Sequence, residues 1–460
     1  MTINGETLLQ TTTAWMKQYW RQACVALLFV NVALILSFSN YALNRPSLFD
    51  ISSDFLVAEQ QCLAELARQN CTRPFAFGRP PDMRVHRRPM RESLKHAMAE
   101  QLELTNVMLR SPEKQKFVVF RLYPYAGLGN RFLAVISTFI VGMITRRAVI
   151  IDWSTAPNQM VDFDELFEQP PPKQAYFLLL KDVLKLYPSL EADIQGKQPL
   201  RFHHFKQPPW AQHLIFRSPL CIDFSTHEHE KVLLIESWHY YSVALRNNPL
   251  YRKLYDEWFE PYQVYTVLFP LLFKPKPEIQ QQIDVFREQN FGEYAISLHI
   301  RTLESNKMTA DHQRVFWNCA DDILKTQSTL GQNYSIYIAT EDACVKLEAR
   351  RRYGCHAVFG IEPYSRENLQ GLKNGLIDNF LLGEGDDIIV SGSSTYSNVA
   401  AARTWIVPHT VMNTPRLCVK LLHAEPVMHQ WNEMLQAPDS HCIDPKEIDD
   451  MLNRDEFAWH

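Results

Sequence analysis

The stretch FVVFRLYPYAGLGNRFLAVISTFIVGMITRRAVIIDW, Phe117 to Trp153, decides the fold. It opens on a short run rich in β-branched and aromatic residues (Phe117 to Leu122). It then turns through two glycines, continues as a long apolar segment with helical spacing (Phe132 to Thr145), and closes on a second short apolar run (Ala148 to Asp152). Strand, helix and strand at that spacing form a βαβ unit, and parallel strands with crossover helices imply an α/β sheet covered on both faces. The turn raises its own question, because Asn130 and Arg131 follow Gly127 and Gly129 where the first strand gives way to the helix. GLGN lacks the G-x-G-x-x-G spacing of a nicotinamide site and the G-K-[ST] of a P-loop, so a tight turn at the top of the opening strand is what remains.

Working outward, the same alternation resumes after the proline-rich stretch PYQVYTVLFPLLFKPKP, Pro261 to Pro277, where a domain boundary is expected. YAISLHIR (Tyr294 to Arg301), YSIYIATED (Tyr334 to Asp342), AVFG and DDIIV (from Asp386) read as strands that finish in polar groups, the last running through a Gly/Ser turn into a helix. In open α/β sheets ligands bind outside the carboxyl ends of the strands, so Arg301, Thr340 to Asp342 and Ser391 to Thr395 should converge on one crevice. Ser391-Gly392-Ser393-Ser394-Thr395 at a helix start offers N–H groups and hydroxyls where the helix dipole favours negative charge, which describes a phosphate site. Taken singly, a strand-end arginine is a surface ion pair and a Ser/Thr cluster is an N-cap; on neighbouring strands they suggest more.

A chain of 460 residues with 46% hydrophobic and 21% charged residues is globular and long enough for two domains. Its formal net charge of −4 gives no reason to expect nucleic acid. Residues 1–21 read as a cytoplasmic tail. Gln22 to Asn44 carry no charge and match the ~20 residues that span a bilayer, with Lys17 and Arg21 before them, so a single transmembrane anchor with a cytoplasmic N-terminus is expected. A cleaved signal peptide is the competing reading, but no clean A-x-A site follows. Eight of the nine cysteines lie beyond the span, and Asn70-Cys71-Thr72 and Asn333-Tyr334-Ser335 are glycosylation acceptors, as suits an oxidising lumen. Cys62 with Cys71, Cys344 with Cys355 and Cys418 with Cys442 are the pairings that proximity in sequence suggests. Residues 45–110 read as a removable stem, 111–275 as an N-terminal α/β domain and 276–460 as a C-terminal one.

An ordered set of motifs adds a family. GLGNR, AVIIDW, LFPLLFKPKPEI, SLHIR, VSGSSTYSNVAAARTWIV and CVKLLHAEPVMH with a later Cys442, spread over Phe117 to Cys442, resemble the plant xyloglucan α1,2-fucosyltransferase family within the GDP-fucose superfamily. The HIR at His299 to Arg301 is closer to the general superfamily, and HAEPVMHQW lacks a cysteine and paired prolines, so a distant member is implied. The resemblance implies two Rossmann-like domains facing a cleft, the GT-B arrangement, behind a type II Golgi anchor with the catalytic part in the lumen. It implies transfer of fucose from GDP-fucose to a glycan hydroxyl, α1,2 to galactose with inversion; a protein O-fucosyltransferase or a non-catalytic lectin are the alternatives.

On that resemblance Arg301 neutralises the departing β-phosphate, Ser393, Ser394 and Thr395 add donors, and Asp378 reads the guanine; His299 is counted with the donor-binding residues, although a satisfied buried group facing the sheet is the expectation for its ring. Gly127 and Gly129 let the backbone approach the donor, Asn130 holds a hydroxyl or phosphate oxygen, and Arg131 supplies a second cation or else pairs with an acid beneath the loop. Glu304 is the expected general base, with Asp152 the other candidate. No D-x-D stands at a strand end, so neither a metal nor any other cofactor is expected.

Overall fold

A computed structural model describes residues 53–69, 90–122, 126–153, 161–201, 219–237, 239–302, 310–327, 333–362, 364–365, 368–392, 394–412 and 416–426. The expected transmembrane segment at 22–44, Glu304, Ser393, Cys71 and Cys442 lie outside the described residues. The chain divides into two compact units, Met1–Glu65 and Leu66–His460. A 16-residue helix, Ser53–Arg68, is the first described element.

Two parallel sheets build the second unit. The first contains β1 (Phe117–Leu122), β2 (Ala148–Asp152), β3 (Leu178–Leu179), β4 (Leu200–Arg201) and β5 (Val232–Ser237) in the order β3-β2-β1-β5-β4, every pair parallel. The second contains β6 (Tyr294–His299), β7 (Tyr334–Ala339), β8 (Ala357–Phe359), β9 (Asp387–Ser391), β10 (His409–Val411) and β11 (Cys418–Lys420) in the order β11-β10-β9-β6-β7-β8. Only the edge pair β10 and β11 is antiparallel. β1 and β6 are buried nearly throughout, as strands covered on both faces must be.

Helix Leu128–Thr145 joins β1 to β2 and buries fifteen of its eighteen residues, so a segment apolar enough to cross a bilayer is here the central core helix. It ends because Arg146 turns left-handed at φ 52°, the usual way a chain leaves a helix. The proline-rich stretch Pro261 to Pro277 carries helix Val264–Leu272. It tolerates Pro270 near its C-terminal end and packs Phe269 against Phe132, Phe273 and Phe380, so one apolar cluster runs from the first sheet's helices to the second's.

Two expectations change. The stem does not extend to residue 110, because helix Glu92–Arg110 is part of the folded unit. Leu94, Ala97, Met98, Gln101, Thr105 and Met108 recur at helical spacing and are all buried, and Gln101 Nε2 donates to Arg147 O at 3.1 Å. A chain cut at Met108 would leave that site on the core uncovered. Cys418 is bonded to Cys319 rather than to Cys442: the β10–β11 hairpin lays it on helix Ala310–Thr326, with the Cα atoms 6.0 Å apart across a sequence separation of 99. Cys62, Cys221, Cys344 and Cys355 are also in disulfides.

Candidate functional site

In the second sheet the strand order reverses between β6 and β9, the point where an open parallel sheet leaves a crevice beyond its strand ends. Arg301 stands there, half-buried and two residues past β6. Its backbone N–H donates to Ser391 Oγ at 3.3 Å, and Ser391 Oγ donates to His299 O at 2.9 Å, so the ends of β6 and β9 are pinned together. Beyond Arg301, Thr302 donates through its N–H and its hydroxyl to Glu341 Oε1 at 3.0 and 2.9 Å. Asp342 is spent on capping helix Ala343–Tyr353, accepting from Cys344 N and Val345 N. Of the expected trio after β7, Glu341 therefore orders the Arg301 segment and Asp342 orders its own helix.

From β9 the chain turns through Gly392 into helix Thr395–Thr404. Ser394 is its N-cap, with extended backbone, yet its hydroxyl makes no capping bond, and Oγ is buried with no partner. Ser397 Oγ in the same first turn is likewise buried and unpartnered. A serine at this position ordinarily accepts from an N–H one turn in. Here two serine hydroxyls are left without a partner beside the first N–H groups of a helix, which have no acceptor within the helix itself.

A second helix start meets the first. Gly127 is the extended N-cap of helix Leu128–Thr145, with open space where a side chain would lie, and Asn130 sits half-buried in its first turn. Gly129 touches the other helix, since a Cβ there would come within 3.0 Å of the Thr395 carbonyl carbon, Thr395 Oγ1 and Tyr396 N. That glycine serves the approach of two backbones. Gly129→Ala is expected to push the helix starts apart and to cost about 1–3 kcal/mol, read as a lower melting temperature. An unchanged melt would show that the turn gives way freely.

Arg131, one residue beyond Asn130, is 2% exposed. Its Nε donates to Ala126 O at 3.1 Å and its guanidinium lies 5.0 Å over the Trp153 ring, while Nη2 has no partner. No carboxylate among the described residues pairs with it, and burial pulls its pKa down to about 10. The alternative of an acid beneath the loop is thus not met. A buried cation with a donor to spare is costly unless an anion completes it.

His299 is buried with Nδ1 unpartnered and its ring 5.2 Å from that of Tyr396. Burial first, and then the Arg301 charge, drive its pKa down to about 3, so it is a neutral imidazole and adds no cation to the site. Asp378, on helix Leu369–Leu382, is 3% exposed and accepts from the Tyr337 hydroxyl. Gly360, just past β8, leaves the space that this carboxyl and the Tyr337 and Tyr364 hydroxyls occupy. The carboxylate is a member of a buried tyrosine cluster just past β8.

Burial raises the Asp378 pKa from 3.8 to about 6, against the opposing bond from Tyr337. Because the folded value is the higher, its stabilisation is complete below about pH 4 and is lost as pH rises through 6, up to ~3 kcal/mol. Asp378→Asn should flatten the stability profile between pH 4 and 6, measured by denaturant melts. A slope unchanged by the substitution would place the titration elsewhere, for instance at Glu425, which burial lifts to about 7 between Tyr240 and Tyr265 N.

Sequence reasoning missed Trp153, Ser397 and Tyr396. The signal available for Trp153 was an aromatic residue one position past a strand end, and for the other two a hydroxyl within a turn of the Ser/Thr run. Among the described residues one close group of potential metal ligands stands out, Cys319, His409 and Cys418, but the disulfide consumes two of its three donors.

No family model matches the chain, and no curated protein does. Among solved structures it is similar to a variant of Arabidopsis thaliana FUT1 in complex with GDP, at 17% identity and a TM-score of 0.56, over 77% of this chain and 91% of that one. The likeness establishes a shared two-sheet α/β fold of GT-B type. The fucosyltransferase NodZ from Bradyrhizobium aligns at 16% identity and a TM-score of 0.40, over 66% of this chain and 99% of that one.

Proposed function

We propose that this chain is a fucosyltransferase that takes fucose from GDP-fucose and passes it to a glycan hydroxyl. The observation that carries the reading is the pair of touching helix starts at Gly129 and Thr395, with the buried, unpartnered donors Arg131 Nη2 and Ser394 Oγ beside them and Arg301 at the adjoining strand end. Two helix N-termini and two guanidinium groups call for a ligand of more than one negative charge, as a nucleoside diphosphate is. The motif order along the chain and the fold shared with GDP-bound FUT1 support the guanosine diphosphate of a fucose donor in particular.

The chemistry follows from where charge develops. As the bond from fucose C1 to the β-phosphate oxygen breaks, the sugar gains oxocarbenium character and the leaving diphosphate gains negative charge. Fixed donors aimed at that charge lower the barrier more than they tighten the ground state. Arg301 is the residue proposed for the β-phosphate and Arg131 for its partner phosphate, with Ser394 and Thr395 adding a hydroxyl and N–H groups. Asn130 borders the same first turn. Neutral His299 keeps the site from holding a third cation.

The finer reading is an inverting α1,2 transfer to galactose without a metal, by a type II Golgi enzyme whose anchor is 22–44 and whose stem ends near residue 90. Glu304 and Asp152 are the candidate bases. The test uses the full chain in detergent. GDP should raise its melting temperature and UDP should not, GDP-fucose should be hydrolysed slowly without acceptor, and EDTA should leave that rate intact. No shift with GDP would sink the transferase reading, and activity lost to EDTA and restored by Mn²⁺ would sink the metal-free part alone.

A further inference from the structure

At the carboxyl end of the first sheet lies a row of charges that the phosphate site does not use. Arg121 on β1 is in register with Asp152 on β2 and with Glu236 on β5, and Glu236 is in register with Arg201 on β4. Four adjacent strands thus present Asp, Arg, Glu and Arg in order on one face. The side chains join across the strands. Arg121 Nε lies 3.9 Å from Asp152 Oδ2 and Nη1 lies 3.5 Å from Glu236 Oε1, while Arg201 Nε donates to Glu236 Oε2 at 2.8 Å.

Two residues earlier the same face carries Val119, Ile150 and Leu234, all buried in an apolar cluster. The change from apolar to charged therefore happens within one pleat, where the strands leave the core. Paired charges in such a place add little stability over well-packed apolar residues, so the row has no sufficient cause in the fold itself.

Topology suggests the cause. The first sheet reverses its strand order between β1 and β5, where Arg121 stands beside Glu236, just as the second reverses between β6 and β9, where Arg301 stands beside Ser391. Helix Leu128–Thr145 starts beyond β1 and helix Thr395–Thr404 beyond β9, and they touch at Gly129, so the carboxyl ends of β1 and β9 both lead to one junction of helix starts. One switch point holds the phosphate donors; the other holds the row.

Resting on the transferase reading above, we infer that the row binds the acceptor and that the acceptor is a neutral oligosaccharide. Sugar hydroxyls both donate and accept, whereas a guanidinium only donates and a carboxylate only accepts. An alternating row offers both in fixed sequence and carries no net charge. Four strands spaced ~4.8 Å apart extend it over about 14 Å, longer than a single sugar ring or a serine side chain needs. The side chains of Arg121 and Arg201 are 33% and 22% exposed, against 12% for Glu236 and 7% for Asp152. The arginine heads are the groups that meet the sugar, and Glu236, gripping both, is the positioning residue.

The experiment retains the full chain, with and without GDP, on an array of neutral and sialylated galactose-terminated oligosaccharides, and compares Arg121→Gln, Glu236→Gln and Glu236→Asp. Neutral glycans should be retained by the wild type and lost at least tenfold by Arg121→Gln and Glu236→Gln, with partial rescue in Glu236→Asp and GDP affinity within twofold throughout. Retention unchanged by either glutamine variant overturns the inference, as does a wild type that binds GDP but no neutral glycan. A loss that tracks a fall in melting temperature and in GDP affinity reduces the row to a structural one and overturns it equally. Absence of GDP binding by the wild type counts against the transferase reading instead, because the array needs no donor.

Discussion

Arg301→Ala should lower turnover with GDP-fucose by a hundredfold or more while the chain melts within a few degrees of the wild type. Removing one donor aimed at a developing charge typically costs on the order of 3 kcal/mol in the transition state, and GDP affinity should weaken less than the rate, since the ground state carries less charge on the leaving oxygen. The fold should tolerate the change because the strand end is held by the backbone N–H of residue 301 to Ser391 Oγ, a bond that no side-chain substitution removes. Arg301→Lys keeps the charge and loses the planar fork, so it should recover only part of the rate. A folded Arg301→Ala enzyme with near-normal turnover would take Arg301 out of the site. An exposed ion-pairing arginine would give that result, being worth only ~0–1 kcal/mol.

Arg131→Met should do two opposite things. In the free protein the guanidinium is buried with no carboxylate against it among the described residues, and the fall of its pKa to about 10 reflects what burial costs the charged form. Methionine fills similar space over Trp153 and has no charge to desolvate. Part of the gain is offset by Ala126 O, which loses its donor. The net expectation is roughly 1–2 kcal/mol of added stability, a melting temperature a few degrees higher for a unit of this size. The same variant should lose the stabilisation by GDP that the wild type shows, together with nearly all transfer. Greater stability with lost ligand response is the signature of a residue kept for binding. If Arg131→Met melts lower and still responds to GDP in full, Arg131 is a core staple and the second cation lies elsewhere.

The two results are separable by the residues' surroundings. Arg301 is half-buried at a strand end, so its loss is felt chiefly in rate, while Arg131 is enclosed, so its loss is felt in both stability and binding.

Much of the fold was legible because it is local. The βαβ unit from Phe117 to Asp152 and the strands at Tyr294, Tyr334 and Ala357 were read within a few residues of their ends, since burial on both faces demands unbroken β-branched and aromatic runs. The strand-end polar groups were legible for the same reason, as a parallel sheet exposes only its carboxyl edge to ligand. The Ser/Thr turn before helix Thr395–Thr404 and the glycine turn before helix Leu128–Thr145 could be named from sequence as helix starts able to hold an anion.

What those turns touch could not be. That Gly129 lies against Thr395 depends on how two helices 266 positions apart in the chain pack, and no local pattern encodes it. Register decided the row of Asp152, Arg121, Glu236 and Arg201, because a shift of one residue would send each charge to the opposite face. Burial decided the rest. It set Asp378 in a tyrosine cluster, made His299 neutral, left Arg131 with no carboxylate partner among the described residues, folded helix Glu92–Arg110 onto the core and brought Cys418 to Cys319. The sequence by itself determined the order of strands and helices and the chemistry available at their ends, through short-range sterics and periodicity. Which of those groups is desolvated, paired or left with a free donor is a property of the three-dimensional surroundings, and only the tertiary structure decided it.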